Sequence, residues 1–500
     1  MSNISVKAAR AHSPSSSGRA SASNAAVERV LDHAPFRWTE REQQSLPVSV
    51  EGELPSWLQG DLVRTAPAVF EAAFARGGWQ AQHWFDGLGL IYGFTFADGV
   101  RFQQRLLGSE TAAQIALGKA TIASFGTDMQ RSLLQRILQP IPRVTDNANV
   151  NIVPWQGQWL AMTETPSQHV VDGADLRSRG LYRYDDKLPR SMGMSAHPHF
   201  DFERNALVNV GTTFGPKSEL WVYRQGADSH VREVEGKLAF KQLPYVHDFG
   251  LSQRHAVIVD HPLTVHPLKL LFSNHGIVDA FRWQPERGTR LWKLERGTGK
   301  WTDYQTEPLF CFHTVNTFDD GDDVVLDFLV YDDASIVSQL SIASLAKHGL
   351  PALTGRFVRA RLSPGKRQVE LEPLTTQRFE LPTIAYRAQH GRSYETAWGT
   401  SLDEVSRVDG VWHSSVVRID VRTGTVARFS EPDVTYGEPV FVPRPGAARA
   451  DEGVLLVLGS HANASRSCLA VLDATRLEPL ARCTVELSLP LGFHGNFRPQ

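Results

Sequence analysis

Four histidines stand where an apolar stretch meets a turn, and imidazole is a good ligand for transition metals. The four segments are SAHPHFD with His197, PYVHDFGLS with His247, LFCFHTVNTFDD with His313, and LPLGFHGNF with His494. Successive histidines are 50, 66 and 181 residues apart, whereas a local zinc motif spaces its ligands by only a few residues. Only a fold that brings distant strands together could use them as one site, and an all-nitrogen set without thiolate suits iron, copper or zinc.

A fifth histidine, His199, lies two residues after His197. In an unbroken strand both side chains would face the same side, and Pro198 interrupts the strand pattern. Spacing therefore does not decide which of the two belongs to a shared site.

Three glutamates stand in or beside apolar segments, where an unpaired carboxylate would be costly. They are Glu164 in WLAMTETP, Glu380 in RFELP and Glu438 in YGEPVFV. Histidines that bind metals usually donate their second ring N–H to a carboxylate, which is one interpretation of these residues. The other is a glutamate at a strand edge that reaches solvent.

The elements that must position these residues are mostly short strands, because apolar and polar residues alternate and β-branched residues are frequent. Seven stretches show this pattern: 206–214, 219–224, 255–260, 289–295, 323–331, 415–421 and 453–460. Glycine-containing turns such as RGTGK, SPGK and RTGT separate the strands. No strict repeat is present, and many hairpins over this length favour a propeller or a large barrel or sandwich.

Helical patterns are few, and they cover residues 111–124, 128–141 and 344–349. In the second stretch Leu133, Leu134, Ile137 and Leu138 follow helical spacing. Such a face predicts either a helix packed on the core or an interfacial helix that dips into lipid.

The composition excludes several classes of function. The 500 residues are 42% hydrophobic and 21% charged, with a formal net charge of −2, which predicts a globular protein and no affinity for nucleic acid. Three cysteines without CxxC spacing argue against a disulfide scaffold or a cysteine zinc site and favour a reducing, cytoplasmic location. No apolar run reaches the length of a membrane-spanning helix. Residues 1–28 predict a disordered tail, with a transit peptide as the alternative.

Taken together, these motifs resemble the carotenoid cleavage oxygenase family from about Glu53 to Phe497. The segments ELPSWLQGDLVRTAPAVFE (53–71) and HWFDGLGLIYGFTFADGVRFQQR (83–105) come first. AHPH, HDF, FHTVN and GFHG then follow in the family's order, and TET, FELP and GEPVF accompany them. Each motif alone is weak, but their combination in this order is specific.

The resemblance implies an all-β fold, a seven-bladed β-propeller with a helical and loop cap. Residues 29–500 would form one catalytic domain, with cap insertions at about 108–142 that are helical and could contact a membrane. One Fe(II) per chain would be bound by His197, His247, His313 and His494, with carboxylate partners at Glu164, Glu380 and Glu438. By the same resemblance, Thr163 would crowd an open iron position, and His199 would be a neighbouring residue and not a ligand.

The implied reaction is oxidative cleavage of a conjugated C=C bond of a carotenoid or apocarotenoid by O₂, giving two carbonyl products. The expected partners are a hydrophobic polyene, O₂ and a membrane surface touched peripherally. Because carotenoids partition into membranes, the resemblance favours the interfacial interpretation of 128–141. The alternatives are stilbenoid cleavage, the retinoid isomerohydrolase reaction, and a non-catalytic propeller that binds lipid or a partner. The intact set of four histidine motifs argues against the last.

Overall fold

The computed structural model describes residues 30–39, 43–74, 77–215, 217–269, 273–402, 412–463 and 465–500. The tail predicted over residues 1–28 lies outside the described residues. Within the described ranges strands dominate and helices are few and short, which confirms the predicted all-β class. The single-domain interpretation of residues 29–500 stays a prediction.

The strands are distributed from Gln43 to Pro499 within the described ranges. Those before residue 252 are β1 (Gln43–Pro47), β2 (Ser49–Gly52), β3 (Gly60–Val69), β4 (Glu71–Phe74), β5 (Gly77–Gln80), β6 (Leu88–Ala97), β7 (Gly99–Leu106), β8 (Asn151–Trp155), β9 (Gln158–Met162), β10 (His169–Val171), β11 (Ser178–Leu181), β12 (Gly193–Met194), β13 (His199–Asp201), β14 (Ala206–Thr213), β15 (Ser218–Gly226), β16 (Arg232–Phe240), β17 (Leu243–Pro244) and β18 (Gly250–Leu251). The remaining strands are β19 (His255–Asp260), β20 (Leu263–Val265), β21 (Phe281–Trp283), β22 (Thr289–Glu295), β23 (Lys300–Thr306), β24 (Phe310–Asp320), β25 (Asp323–Tyr331), β26 (Gly355–Leu362), β27 (Leu371–Thr383), β28 (Thr396–Ser401), β29 (Ser415–Asp420), β30 (Val426–Phe429), β31 (Val434–Tyr436), β32 (Val440–Pro443), β33 (Gly453–His461), β34 (Ser467–Asp473), β35 (Pro479–Val485) and β36 (Gly495–Pro499).

All seven predicted strands are present, as β14, β15, β19, β22, β25, β29 and β33. The predicted bounds of β19, β22 and β25 agree with the structure at both ends. These strands succeed as sequence predictions because their enrichment in β-branched and apolar residues and the turns that follow them are local properties.

The strands form antiparallel sheets. Neighbouring strands are ordered β1-β7-β6-β3-β36, β11-β10-β9-β8, β12-β14-β15-β16 with β13 beside β14, β17-β20-β21, β18-β19-β22-β23, β2-β35-β34-β33-β31 with β32 beside β33, and β24 through β30 in chain order; β4 and β5 form a hairpin. The pairing of β36 with β3 places both ends of the described chain in one sheet. The seven-bladed arrangement of these sheets stays a prediction.

The α-helices are α1 (Glu110–Ala116), α2 (Leu133–Leu138), α3 (Ser335–Gln339), α4 (Ile342–His348) and α5 (Tyr386–Gln389). Short 3-10 helices cover Trp84–Asp86, Pro267–Lys269, Ile277–Ala280 and Pro285–Arg287.

The segment 108–142, predicted to be helical, is only partly so, since its α-helical parts are the short helices α1 and α2. Helix α1 stops early because Gly118 takes a φ of +73°, a conformation that ends helices. Helix α2 is capped at Ser132, whose side chain accepts a hydrogen bond from the N–H of Gln135. Among the described residues, no helix has the length and apolar character to cross a membrane.

A large apolar cluster rich in aromatic residues adjoins the segments that carry the predicted site. Its members include Trp84, Tyr245, Phe312 and Phe493, all buried. Trp84 and Phe493 lie 4.4 Å apart between ring centroids, close enough for direct aromatic contact. His247 lies beside this cluster, with its ring centroid 5.4 Å from that of Phe312, and Phe312 and Phe493 directly precede His313 and His494 in the chain.

Candidate metal centre

The structure brings the four predicted histidines together. One ring nitrogen from each of the four residues lies within 4.8 Å of those from the other three. The Nε2 atoms of His197 and His247 are 3.0 Å apart, and those of His313 and His494 are 3.3 Å apart. Residues up to 297 positions apart in the chain thus converge on one point.

Each histidine reaches this point from a different part of the fold. His197 lies in the break between β12 and β13, and His247 lies between β17 and β18. His313 lies within β24, where the pairing with β25 is irregular between Cys311 and Thr314. Such an irregularity turns side chains out of the regular alternation of a strand. His494 directly precedes β36, the strand that joins the two chain ends.

The three predicted glutamates each contact the Nδ1 atom of a different histidine. The pairs are Glu164 with His247, Glu380 with His313 at 2.6 Å, and Glu438 with His494 at 2.7 Å. When each carboxylate accepts a hydrogen bond from an Nδ1–H group, the imidazole keeps an unprotonated Nε2 that points to the shared centre. The glutamates thereby select the tautomer in which the inward nitrogen is a lone-pair donor.

Two of the glutamates receive a second hydrogen bond from a buried tyrosine. The hydroxyl of Tyr245 lies 3.0 Å from both carboxylate oxygens of Glu164, and the hydroxyl of Tyr331 donates to Glu380 at 2.9 Å. The backbone N–H of Leu381 also donates to Glu380 at 2.9 Å. These donors hold each carboxylate in place and compensate part of its cost of burial.

The third glutamate, Glu438, is held by a buried arginine. A guanidinium nitrogen of Arg64 lies 3.5 Å from the carboxylate and donates to the Glu438 carbonyl oxygen at 3.0 Å. The N–H of Gly495 donates to the same carboxylate at 2.9 Å. Burial raises the pKa of Glu438 to about 7, and the charge of Arg64 opposes that rise.

Sequence reasoning missed Tyr245, Tyr331 and Arg64. A usable signal existed for Tyr245, which is two residues before His247 in PYVHDF and so could share its side of an extended segment. Nothing in the sequence linked Tyr331 or Arg64 to a particular glutamate, because those partners come from distant strands.

The structure also separates His197 from His199. His199 donates from Nε2 to the Phe249 carbonyl oxygen at 2.8 Å, and its Nδ1 accepts from the Tyr386 hydroxyl at 2.9 Å. The N–H of Phe200 donates in turn to the Tyr386 oxygen at 3.2 Å, which supports this assignment of donors. Both ring nitrogens of His199 therefore form hydrogen bonds with groups outside the four-histidine cluster.

Electrostatics favour neutral imidazoles at two of the four histidines. Burial holds the pKa of His197 and of His494 well below the usual range, and their histidine neighbours act in the same direction. At His313 burial also disfavours the charged form, but the nearby Glu380 outweighs it and raises the pKa.

The donor set fits a bound cation. Four inward nitrogens lie close together, and three of the four imidazoles donate their outward N–H to a glutamate. Without a cation, such converging lone pairs would repel one another at these distances. Neutral imidazoles suit iron, copper or zinc, and the surrounding carboxylates would balance a divalent charge.

An apolar cavity of about 220 Å³ leads to the cluster and is lined by His247, His313 and His494. Its aromatic wall includes Trp84, Phe85, Phe125, Phe281, Phe312 and Phe493. Such a wall suits a hydrophobic ligand and excludes water.

Thr163 is buried and lines the cavity just before Glu164. Val150 lines it too, and its carbonyl oxygen accepts a hydrogen bond from the His494 N–H at 3.2 Å. Val150 was not anticipated from the sequence.

Comparison with known proteins agrees with these features. The family described as retinal pigment epithelial membrane protein matches residues 36–499. The carotenoid-cleaving dioxygenase, mitochondrial, of Mustela putorius furo is 28% identical over 93% of this chain and 96% of its own length. The beta,beta-carotene 15,15'-dioxygenase of Gallus gallus is 27% identical over 92% of this chain and 97% of its own length.

Solved structures share the fold. A variant of the Synechocystis apocarotenoid oxygenase superposes with a TM-score of 0.83 at 24% identity, covering 95% of this chain and 99% of that one. The cobalt-substituted Synechocystis protein gives a TM-score of 0.82 with the same identity and coverage.

Proposed function

The chain belongs to the retinal pigment epithelial membrane protein family, as the resemblance to carotenoid cleavage oxygenases predicted, and from that membership we propose its reaction. It is a dioxygenase that cleaves one conjugated C=C bond of a carotenoid or apocarotenoid with O₂. The bond is replaced by two carbonyl groups, both oxygen atoms come from O₂, and no external reductant is needed. The relatives named as carotenoid-cleaving enzymes along nearly their whole length support this substrate class.

The observation that carries the proposal is the convergence of four imidazoles at an aromatic cavity. His197, His247, His313 and His494 would hold one Fe(II), and Glu164, Glu380 and Glu438 would orient three of them. Iron(II) in such a site supplies the redox chemistry that lets O₂ react with an alkene, which zinc cannot provide.

The protein's own groups bind and position the substrate. Aromatic side chains such as Phe85, Phe312 and Phe493 form apolar walls against which a flat polyene can lie. They exclude water and fix one double bond relative to the metal, so that a single bond is selected.

We further propose that Thr163 limits the space beside the metal, as the family resemblance implies. Replacement by alanine should then strengthen the binding of a small anion such as azide to the Co(II)-loaded protein, measured by its absorption. If Val150→Ala has this effect and Thr163→Ala does not, Val150 and not Thr163 restricts the space.

We propose that helix α2 and its flanks contact the membrane that holds the substrate. Leu133, Leu134, Ile137, Leu138 and Ile141 are each at least 64% exposed. The segment that carries them leaves the cavity wall at Phe125 and returns to it at Val144. The exposed apolar face therefore belongs to a segment anchored at both ends in the cavity wall, a suitable position for uptake from lipid. Cytoplasmic location stays a prediction.

One experiment tests the function directly. Purified protein should contain about one iron per chain. It should convert members of a panel of carotenoids, apocarotenals and stilbenoids to aldehydes that carry label from ¹⁸O₂, identified by mass. Cleavage of stilbenoids alone would favour the stilbenoid alternative, and no cleavage together with no metal would favour a binding protein.

The His313→Ala variant provides the link between site and activity. It should lose both iron and turnover, whereas the matched variant His348→Ala, at an exposed helix end, should keep both. Full activity of His313→Ala would contradict the proposed metal centre.

A further inference from the structure

One buried carboxylate near the four histidines has no role in the site described so far. Asp248 directly follows His247 and is 8% exposed. One of its oxygens accepts hydrogen bonds from the N–H and the hydroxyl of Thr314, at 2.7 and 2.8 Å. The other accepts from the N–H of Phe249 at 2.7 Å and lies 3.3 Å from Nε2 of His199.

The partners of the Asp248 carboxylate lie next to predicted metal ligands in the chain. Thr314 follows His313, and His199 lies two residues after His197. Asp248 itself follows His247. A single carboxylate therefore connects the segments that carry three of the four histidines, and these segments belong to β13, β18 and β24 or lie beside them.

A local feature of β24 makes this connection important. The pairing of β24 with β25 shifts register between Cys311 and Thr314 and again between Thr314 and Asn316, so the regular ladder does not by itself define the position of His313. The two hydrogen bonds from Thr314 to Asp248 hold β24 between these two shifts. Asp248 is also the residue directly after His247 in the chain, so it connects the segment of His247 to that of His313.

We propose that Asp248 is a positioning residue for the metal centre, one that sets the spacing of His247 and His313. The proposal rests on the proposed four-histidine metal site. It complements the glutamates: they fix the rotation and tautomer of individual imidazoles from Nδ1, whereas Asp248 fixes the backbone segments that bring the imidazoles together.

An asparagine cannot replace this aspartate. The carboxylate accepts from three separate donors, two N–H groups and one hydroxyl, on its two oxygens. An amide has one acceptor oxygen, and its NH₂ group would face an N–H of Thr314 or Phe249. Asp248→Asn therefore loses at least one link while keeping nearly the same size.

The test uses Co²⁺ as the probe, added to metal-free full-length protein. Affinity is measured by titration, and ligand geometry by the visible absorption bands of the bound ion. Asp248→Asn should bind Co²⁺ about tenfold or more weakly and show shifted bands, because residues that orient metal ligands affect affinity to this extent. Thr314→Val should show the same change to a smaller degree, and Thr314→Ser, which keeps the hydroxyl, should match the wild type.

A purely structural role is distinguished by a matched buried aspartate. Asp327 accepts two hydrogen bonds from Arg359 at 2.8 Å and one from Tyr394 at 2.8 Å. Asp327→Asn should lower stability to urea but leave the affinity and the Co²⁺ bands of the folded protein unchanged.

Wild-type affinity and bands in folded Asp248→Asn would overturn the proposal. If that variant does not fold, Thr314→Val decides: unchanged affinity and bands would overturn it as well. Failure of the wild-type protein to bind Co²⁺ would instead refute the proposed metal site, so the two ideas fail in different measurements.

Discussion

Replacing Leu134 and Ile137 with aspartate should detach the protein from lipid vesicles and leave its catalytic centre intact. The two residues are three apart on helix α2, so they share one face. Their exposed fractions are 64% and 67%, and both side chains are free to enter lipid. Position 134 lies in the first helical turn, where a negative charge is favourable to the helix, and position 137 lies in the last turn, where it is unfavourable by a similar amount. The two effects oppose each other, so the fold should tolerate the double change.

The size of the effect follows from these exposures. Burying a fully exposed leucine or isoleucine contributes about 2 kcal/mol. Because two thirds of each side chain is exposed and can still be buried in lipid, each residue contributes about 1.3 kcal/mol, or about tenfold in the partition coefficient. The double variant should therefore bind vesicles about a hundredfold more weakly, and the cost of bringing two carboxylates to the membrane adds to this loss.

The assay measures co-sedimentation with neutral phosphatidylcholine vesicles and activity on the same carotenoid in two forms. Activity on vesicle-borne substrate should fall strongly, while activity on detergent-dispersed substrate should remain. Leu181→Asp is the matched control, since Leu181 on β11 is also exposed, at 47%, and lies outside this helix.

Three results would refute the reasoning. They are equal loss of activity on both forms of substrate, unchanged vesicle binding by the double variant, or an equal effect of Leu181→Asp. Urea unfolding should show that the stability of all variants lies within about 0.5 kcal/mol of the wild type, as expected for exposed positions.

Three further predictions concern residues of the candidate site and one buried carboxylate. His197→Ala should lose bound metal and His199→Ala should largely retain it, measured by elemental analysis; equal loss would contradict the separation of the two. Glu380→Gln should weaken metal binding about 10- to 100-fold, since it no longer offers His313 a carboxylate, and an unchanged affinity would argue against that pairing. Asp86 accepts from the N–H groups of Phe125 and Gly126, and burial raises its pKa from 3.8 to about 6. Because the folded state then binds the proton more tightly, the free energy of unfolding should fall by about 3 kcal/mol as pH rises from about 4 to about 6 and stay level above. Urea titrations should show this slope in the wild type and not in Asp86→Asn; equal slopes would assign it to other groups.

Local patterns in the sequence were sufficient to predict the strands. The stretch 255–260, HAVIVD, is rich in β-branched apolar residues and has a proline two positions after its end, and it forms β19 with the predicted bounds. The long helix predicted over 111–124 shows the limit of this reasoning. Its apolar pattern continues past Ala116, but the backbone at Gly118 turns the chain away.

The sequence by itself determined the residue types of the site and, through the order of its motifs, the family. It did not determine which groups touch. His197 and His199 have similar local surroundings in the sequence, and the family resemblance alone favoured His197. The bonds of His199 to Phe249 and Tyr386 supply the physical reason that it stands outside the cluster.

Tertiary structure decided the partners of the glutamates and the place of Asp248. The bond between Glu438 and His494 joins residues 56 positions apart, and that between Glu380 and His313 joins residues 67 apart. Strand formation depends on neighbours along the chain, whereas these contacts depend on how separate sheets pack. A carboxylate beside an apolar run can therefore be recognised in the sequence. Its hydrogen-bond partner is determined by the distant strand that the fold places next to it.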